Sequence, residues 1–124
     1  MSADMLKAVA DAVVAANSGG DFHQLLDAYY ADDIVSVEAF AMPGGGREVQ
    51  GRAALAGKWA WWEGAHESQE TRAEGPFFHG PDRFGVIFAM DVTNRESGER
   101  IKMRELAIYT VRDGKVVREE FFNA

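Results

Sequence analysis

Tyr109-Thr110-Val111-Arg112-Asp113-Gly114-Lys115-Val116-Val117 decides how the chain folds. Strand-forming residues flank Asp113-Gly114, a dipeptide that favours a two-residue type I′ hairpin because both turn residues must take positive φ. Such a turn sets Arg112 opposite Lys115. Counting outward puts Thr110 opposite Val117, Ile108 opposite Glu119 and Leu106 opposite Phe121. Glu96-Ser97-Gly98 reads as a three-residue hairpin with Gly98 in the left-handed position, which sets Leu106 against Phe88 and Ile108 against Val86. Register fixes faces. One face then carries Phe84, Val86, Phe88, Met90, Leu106, Ile108, Val117 and Phe121; the other carries Ile87, Asp91, Glu105, Ala107, Tyr109, Glu120 and Phe122. The first face is nearly all apolar and has to be covered.

The cover comes from the first half of the chain. Met5, Leu6, Val9, Ala12, Val13 and Ala16 recur at helical spacing, and Asn17-Ser18-Gly19-Gly20 ends that helix. Asp21 is placed to cap a second helix, with Gln24 as its capping-box partner and Phe22, Leu25, Leu26 and Tyr29 as its buried face. A short β-branched strand, 34–40, and the loop Pro43-Gly44-Gly45-Gly46 precede a third helix over 52–65, whose stripe is Leu55, Trp59, Trp62 and His66. Strands follow at about 67–78, 83–95, 100–112 and 115–123. The expected fold class is α+β: a cone-shaped, curved antiparallel sheet packed on three N-terminal helices, in one domain over 1–124.

Composition bounds the function. The 124 residues carry 13 Lys plus Arg against 20 Asp plus Glu, a formal charge of −7, so nucleic acid is a poor partner. There are no cysteines, which removes thiol catalysis, thiolate zinc sites and iron–sulfur clusters. No apolar run reaches the roughly 20 residues that span a bilayer. The acidic start, Met1-Ser2-Ala3-Asp4, is unlike a signal peptide, and the expected location is the cytoplasm. The glycines at 44–46 lack the Lys-Ser/Thr of a P-loop, and no Gly-x-Ser-x-Gly elbow occurs. The expected cofactor content is none, and any chemistry is acid–base work.

The order helix–helix–strand–helix–four strands resembles the nuclear transport factor 2-like superfamily, with its cystatin-like α+β barrel, and the SnoaL-like branch in particular. Tyr30-Ala31-Asp32-Asp33 before the strand, Gly51-Arg52-Ala53-Ala54-Leu55 at the start of the third helix, and the closing hairpin ending in Glu119-Glu120-Phe121-Phe122 carry that resemblance across the chain. The superfamily hosts isomerases, dehydratases, cyclases, hydrolases and non-catalytic modules, so fold alone does not settle activity. In its ketosteroid isomerases a similar Tyr-Ala-Asp-Asp passage is followed five residues later by the general base, a position that falls on Glu38. The tyrosine and aspartate that hold the enolate there fall near Val13 and Leu106, and neither side chain can donate a hydrogen bond.

The catalytic candidates are therefore Glu38, Glu119 and His66. Glu38 shares a strand face with Ile34, Ser36 and Phe40, and an apolar cavity would raise its pKa toward a useful range. Glu119 falls on the apolar sheet face and needs a partner or a proton there. His66 ends the third-helix stripe, where capping is the ordinary alternative. His66, Glu67 and Glu70 match no standard metal spacing, so no metal is expected. Tyr30, Trp59, Trp62, Phe88, Leu106 and Phe121 are the candidate walls, with Arg104 available for an anionic substrate group; a plain packed core explains the aromatics equally. The expected function is binding of a small apolar ligand, with cofactor-free isomerisation, cyclisation or dehydration of a carbonyl compound as the activity. The alternative is a non-catalytic ligand-binding or dimerisation module. The half-polar second sheet face suggests a homodimer through the sheet.

Overall fold

The computed structural model describes residues 1–124. Three helices, α1 (Ala3–Ala16), α2 (Phe22–Tyr29) and α3 (Arg52–Ala65), cover one face of a curved six-stranded sheet. The strands are β1 (Tyr30–Val37), β2 (Glu48–Gln50), β3 (His66–His79), β4 (Arg83–Asn94), β5 (Arg100–Arg112) and β6 (Lys115–Asn123). The class is α+β. The sheet runs β2-β1-β6-β5-β4-β3 and is mixed, because β1 pairs parallel with β6 while every other pair is antiparallel.

Local chemistry sets the helix ends. The Ser2 hydroxyl accepts from Met5 N and starts α1; the Asp21 carboxylate accepts from His23 N and Gln24 N and starts α2. Leu6, Val9, Ala10 and Val13 of α1 and Leu25 and Leu26 of α2 join Phe84, Val86, Tyr109 and Val116 of the sheet in one core. Burying these faces is the main stabilising term. No helix is long and apolar enough to cross a membrane.

The first strand lies earlier than its β-branched run predicts, over 30–37 rather than 34–40. It begins directly at the C-cap of α2, and Phe40, beyond its end, is 67% exposed. The three-residue β2 is too short and polar to read from pattern.

The two hairpins depart from the expected register, each by one residue. Asp113 (φ 51°) and Gly114 (φ 75°) form the expected turn, and Arg112 does face Lys115. A bulge after the Val111–Val116 pair then gives β6 one extra residue, so Tyr109 meets Glu119 and Ala107 meets Phe121. The other loop has Thr93 opposite Arg100, and Asn94 N donates to Glu99 O at 2.8 Å. Residues 95–98 therefore make a four-residue connection. Asn94 lengthens it by accepting, through Oδ1, from both Glu96 N and Ser97 N at 3.0 Å. Phe88 consequently faces Glu105, not Leu106.

The two slips cancel for β6 and not for β5. Phe84, Val86, Phe88, Glu119 and Phe121 stay on the helix-covered face, and Glu105, Ala107 and Tyr109 join them there. Leu106 and Ile108 turn to the opposite face.

Candidate functional site

A cavity of about 410 Å³ opens between α3, the end of β1 and the covered face of the sheet. Trp59 and Trp62 reach it from one side of α3, Tyr30 from the start of β1, and Phe88 and Phe121 from β4 and β6. The rings brace one another: Trp59 packs edge-on to Tyr30 at 5.8 Å and to Phe22 at 5.1 Å between centroids. Aromatic walls with a few converging polar groups make a small-molecule pocket.

The polar groups form one connected chain. The Tyr30 hydroxyl donates to Glu119 Oε2 at 2.7 Å, and Ser36 Oγ donates to Glu119 Oε1 at 2.9 Å. Lys58 Nζ donates to Ser36 Oγ at 3.2 Å and pairs with Glu38 Oε1 at 2.5 Å. The Lys58 side chain is 10% exposed and that of Glu38 23%, so this ion pair is largely withdrawn from water. Glu105 stands apart. It lines the same cavity from β5, and no hydrogen bond reaches its carboxyl.

Burial acts on two of the carboxyls, Glu105 and Glu119. Burial is the main cause that pushes Glu105 from the ordinary 4.5 to about 7; the negative charges of Glu38 and Glu119 add to it and Lys58 opposes it. Burial also raises Glu119, against the hydrogen bonds from Tyr30 and Ser36 and the charge of Lys58. Tyr30 and Tyr109 are held well above 10 by burial and by the Glu119 charge beside them, so both phenols stay neutral donors.

Of the residues singled out in the sequence, Glu38, Glu119, His66, Tyr30, Trp59, Trp62, Phe88 and Phe121 all line the cavity. His66 stacks on Trp62 at 3.8 Å and its Nδ1 lies 3.1 Å from Trp62 O, where it caps the end of α3. Leu106 and Arg104 do not line it. The four-residue 95–98 loop reverses the faces of β5, pairing Arg104 with Ala89 on the exposed side and setting Leu106 beside Ile87. Val13 lies wholly within the α1 core. No group of His, Asp or Glu side chains is arranged as a metal site.

The sequence reading missed Lys58, Glu105 and Tyr109. Lys58 was within reach, since 55, 58, 59 and 62 share one helical face. Glu105 was not, because both faces of β5 carry apolar residues and only the loop length chooses between them.

A family model described as SnoaL-like domain matches residues 5–123. The chain belongs to the SnoaL-like domain family. Among solved structures, this SnoaL-like chain is similar to a Mesorhizobium loti protein provisionally named a SnoaL-like polyketide cyclase. The two share 36% identity with a TM-score of 0.83, over 97% of each chain. It is also similar to TerC co-crystallised with polyporic acid, at 21% identity and TM-score 0.73 over 97% of this chain and 92% of that one. A Catenulispora acidiphila protein with a ketosteroid isomerase-like fold, in complex with trimethylamine, matches at 15% identity and TM-score 0.73, over 94% of this chain and 85% of that one. The last two similarities concern the fold alone. No curated protein matches the chain.

Proposed function

We propose that this SnoaL-like protein is a cofactor-free acid–base enzyme of isomerase, cyclase or dehydratase type, acting on a small, mainly apolar carbonyl compound. Glu105 carries this reading. An unpaired carboxyl at about 7 inside an aromatic cavity is poised both to take a proton from carbon and to return it near neutral pH. Glu38, the position suggested by the isomerase resemblance, is engaged with Lys58 and is assigned the orientation of that lysine. Glu119 holds Tyr30 and Ser36 in place, and His66 fixes Trp62 at the rim. A homodimer through the exposed sheet face belongs to the same proposal, supported by part-exposed Ile87, Leu106 and Ile108 and by exposed Phe122.

The test needs no natural substrate. With 2-tetralone as probe in D₂O, NMR should show exchange of the α-protons above the buffer rate, lost in Glu105→Gln and reduced less in Glu38→Gln. Loss in Glu38→Gln with survival in Glu105→Gln would transfer the base role to Glu38. Binding of the ketone with no exchange at any pH would favour the second reading, a non-catalytic ligand-binding module. Val13, which leaves no hydrogen-bond donor where the isomerase resemblance has its tyrosine, supports that second reading.

A further inference from the structure

Removing a proton next to a carbonyl puts negative charge on its oxygen, and an enzyme must meet that charge with donors already in place. The positions suggested by the isomerase resemblance offer none: Val13 is core, and Leu106 faces away. The cavity has another donor. An ammonium carries three N–H bonds, and Lys58 uses two, on Glu38 Oε1 and Ser36 Oγ. No nitrogen or oxygen atom of the protein accepts the third. Nζ sits 5.8 Å from the Phe121 ring centroid, against the aromatic wall where a ligand would lie.

We propose that Lys58 is the electrophile of this site, holding through its third N–H the oxygen of an uncharged ketone as it becomes an enolate, and that the cavity therefore takes neutral carbonyl compounds and rejects carboxylates. The proposal rests on the acid–base reading above and names its substrate class.

The step balances without a co-reactant. The Glu105 carboxylate takes the α-proton; the C–H electron pair becomes a C=C bond; the carbonyl π pair moves onto oxygen, beside Lys58. In a β,γ-unsaturated ketone the enolate is conjugated, and return of the proton from Glu105 to its far carbon, with collapse of the oxygen lone pair back to C=O, moves the double bond and completes an isomerisation.

Charge accounting supplies the specificity. Glu38, Glu63, Glu105 and Glu119 line the cavity against Lys58 and Arg95. Glu38 already balances Lys58, so a ligand that enters as an anion meets the uncompensated charge of Glu105 whenever that carboxyl is ionised to act as the base. A ketone enters neutral, and its enolate forms only as Glu105 gains a proton. The total charge in the cavity never changes. Glu38 and Ser36 hold Nζ rigidly, so little reorganisation accompanies the reaction.

The probe is 4-nitrophenol, a planar enolate mimic whose phenolate absorbs visible light, used below its own pKa so that the free molecule is neutral. Mimics of a reaction intermediate bind the groups that stabilise it. The wild type should bind it with a phenolate band, the proton having passed to Glu105, and should not bind benzoate. Lys58→Met should lose the band and weaken binding by roughly 10- to 100-fold, the range of one charge-assisted hydrogen bond. Lys58→Arg should keep part of both. If Lys58→Met does not fold, Glu38→Gln/Lys58→Met removes both halves of the ion pair and takes its place, with the same expectation.

No binding by the wild type, a bound neutral phenol, tight benzoate binding, or an unchanged band without Lys58 would each overturn the proposal. The Glu105 reading fails separately: Glu105→Gln would then keep the band while Lys58→Met loses it.

Discussion

Tyr30 donates its phenolic hydrogen to Glu119 at 2.7 Å, joining the first strand to the last across 89 residues of sequence, with both side chains at most 1% exposed. The bond does two things. It supplies one of the two side-chain donors that hold a fully buried carboxylate, and it fixes the wall of the cavity against Trp59. Tyr30→Phe keeps the ring and removes the donor. It should cost about 1–3 kcal/mol in urea unfolding, the desolvation penalty of a buried group left short of a partner. It should also raise the Glu119 pKa further, because a bond favouring the charged form is gone.

Glu105 should make stability depend on pH with a definite sign. Its pKa rises from the ordinary 4.5 to about 7 on folding, so the folded protein holds this proton more tightly than the unfolded chain. The contribution is complete below pH 4.5, shrinks as the unfolded carboxyl ionises, and is gone above about 7. Glu105→Gln mimics the protonated form at every pH. The variant should match the wild type at pH 4 and be more stable at pH 8 by about 1–3 kcal/mol, a range set below the full conversion of the shift because the residue is part-exposed. Thermal or urea melts at the two pH values check this. Under the proposed acid–base role, that loss of stability is the expected trade-off.

The Lys58–Glu38 pair should be worth less than the cost of breaking it. Lys58→Met leaves Glu38, Glu105 and Glu119 facing one another without their cation, and should destabilise by about 2–4 kcal/mol at neutral pH. Adding Glu38→Gln should restore a large part of that loss. A double-mutant cycle measured by denaturant unfolding gives the coupling, and a purely additive cycle would mean the two side chains do not pair in solution.

Gly114 tests the turn on which the hairpin depends. Its φ of 75° is costly for any residue with a Cβ, and an added Cβ would sit 2.9 Å from Met5 Cε. The methionine tip can swing aside, so the backbone term dominates. Gly114→Ala should cost about 1–2 kcal/mol and Gly114→Asn less, since Asn visits the left-handed region more readily. Melting temperatures of the two variants read the difference.

The α+β class, the helix order and the hairpin at Asp113-Gly114 were legible in the amino-acid sequence. They depend on short-range signals: capping residues, helical spacing of apolar side chains, and a turn dipeptide whose φ values are prescribed. The aromatic walls were legible for the same reason, because Trp59 and Trp62 ride one helical stripe. The parallel pairing of β1 with β6 lay beyond such signals, since it joins strands from opposite ends of the chain. So did the faces of β5. A side chain of Asn94 lengthens one loop, a bulge after Val111 lengthens the next strand, and the two offsets cancel at Glu119 while exchanging Leu106 for Glu105. Strand periodicity is two residues, so one added residue reverses a whole face. Where both faces are half apolar, hydrophobic pattern cannot choose between them, and packing in three dimensions does.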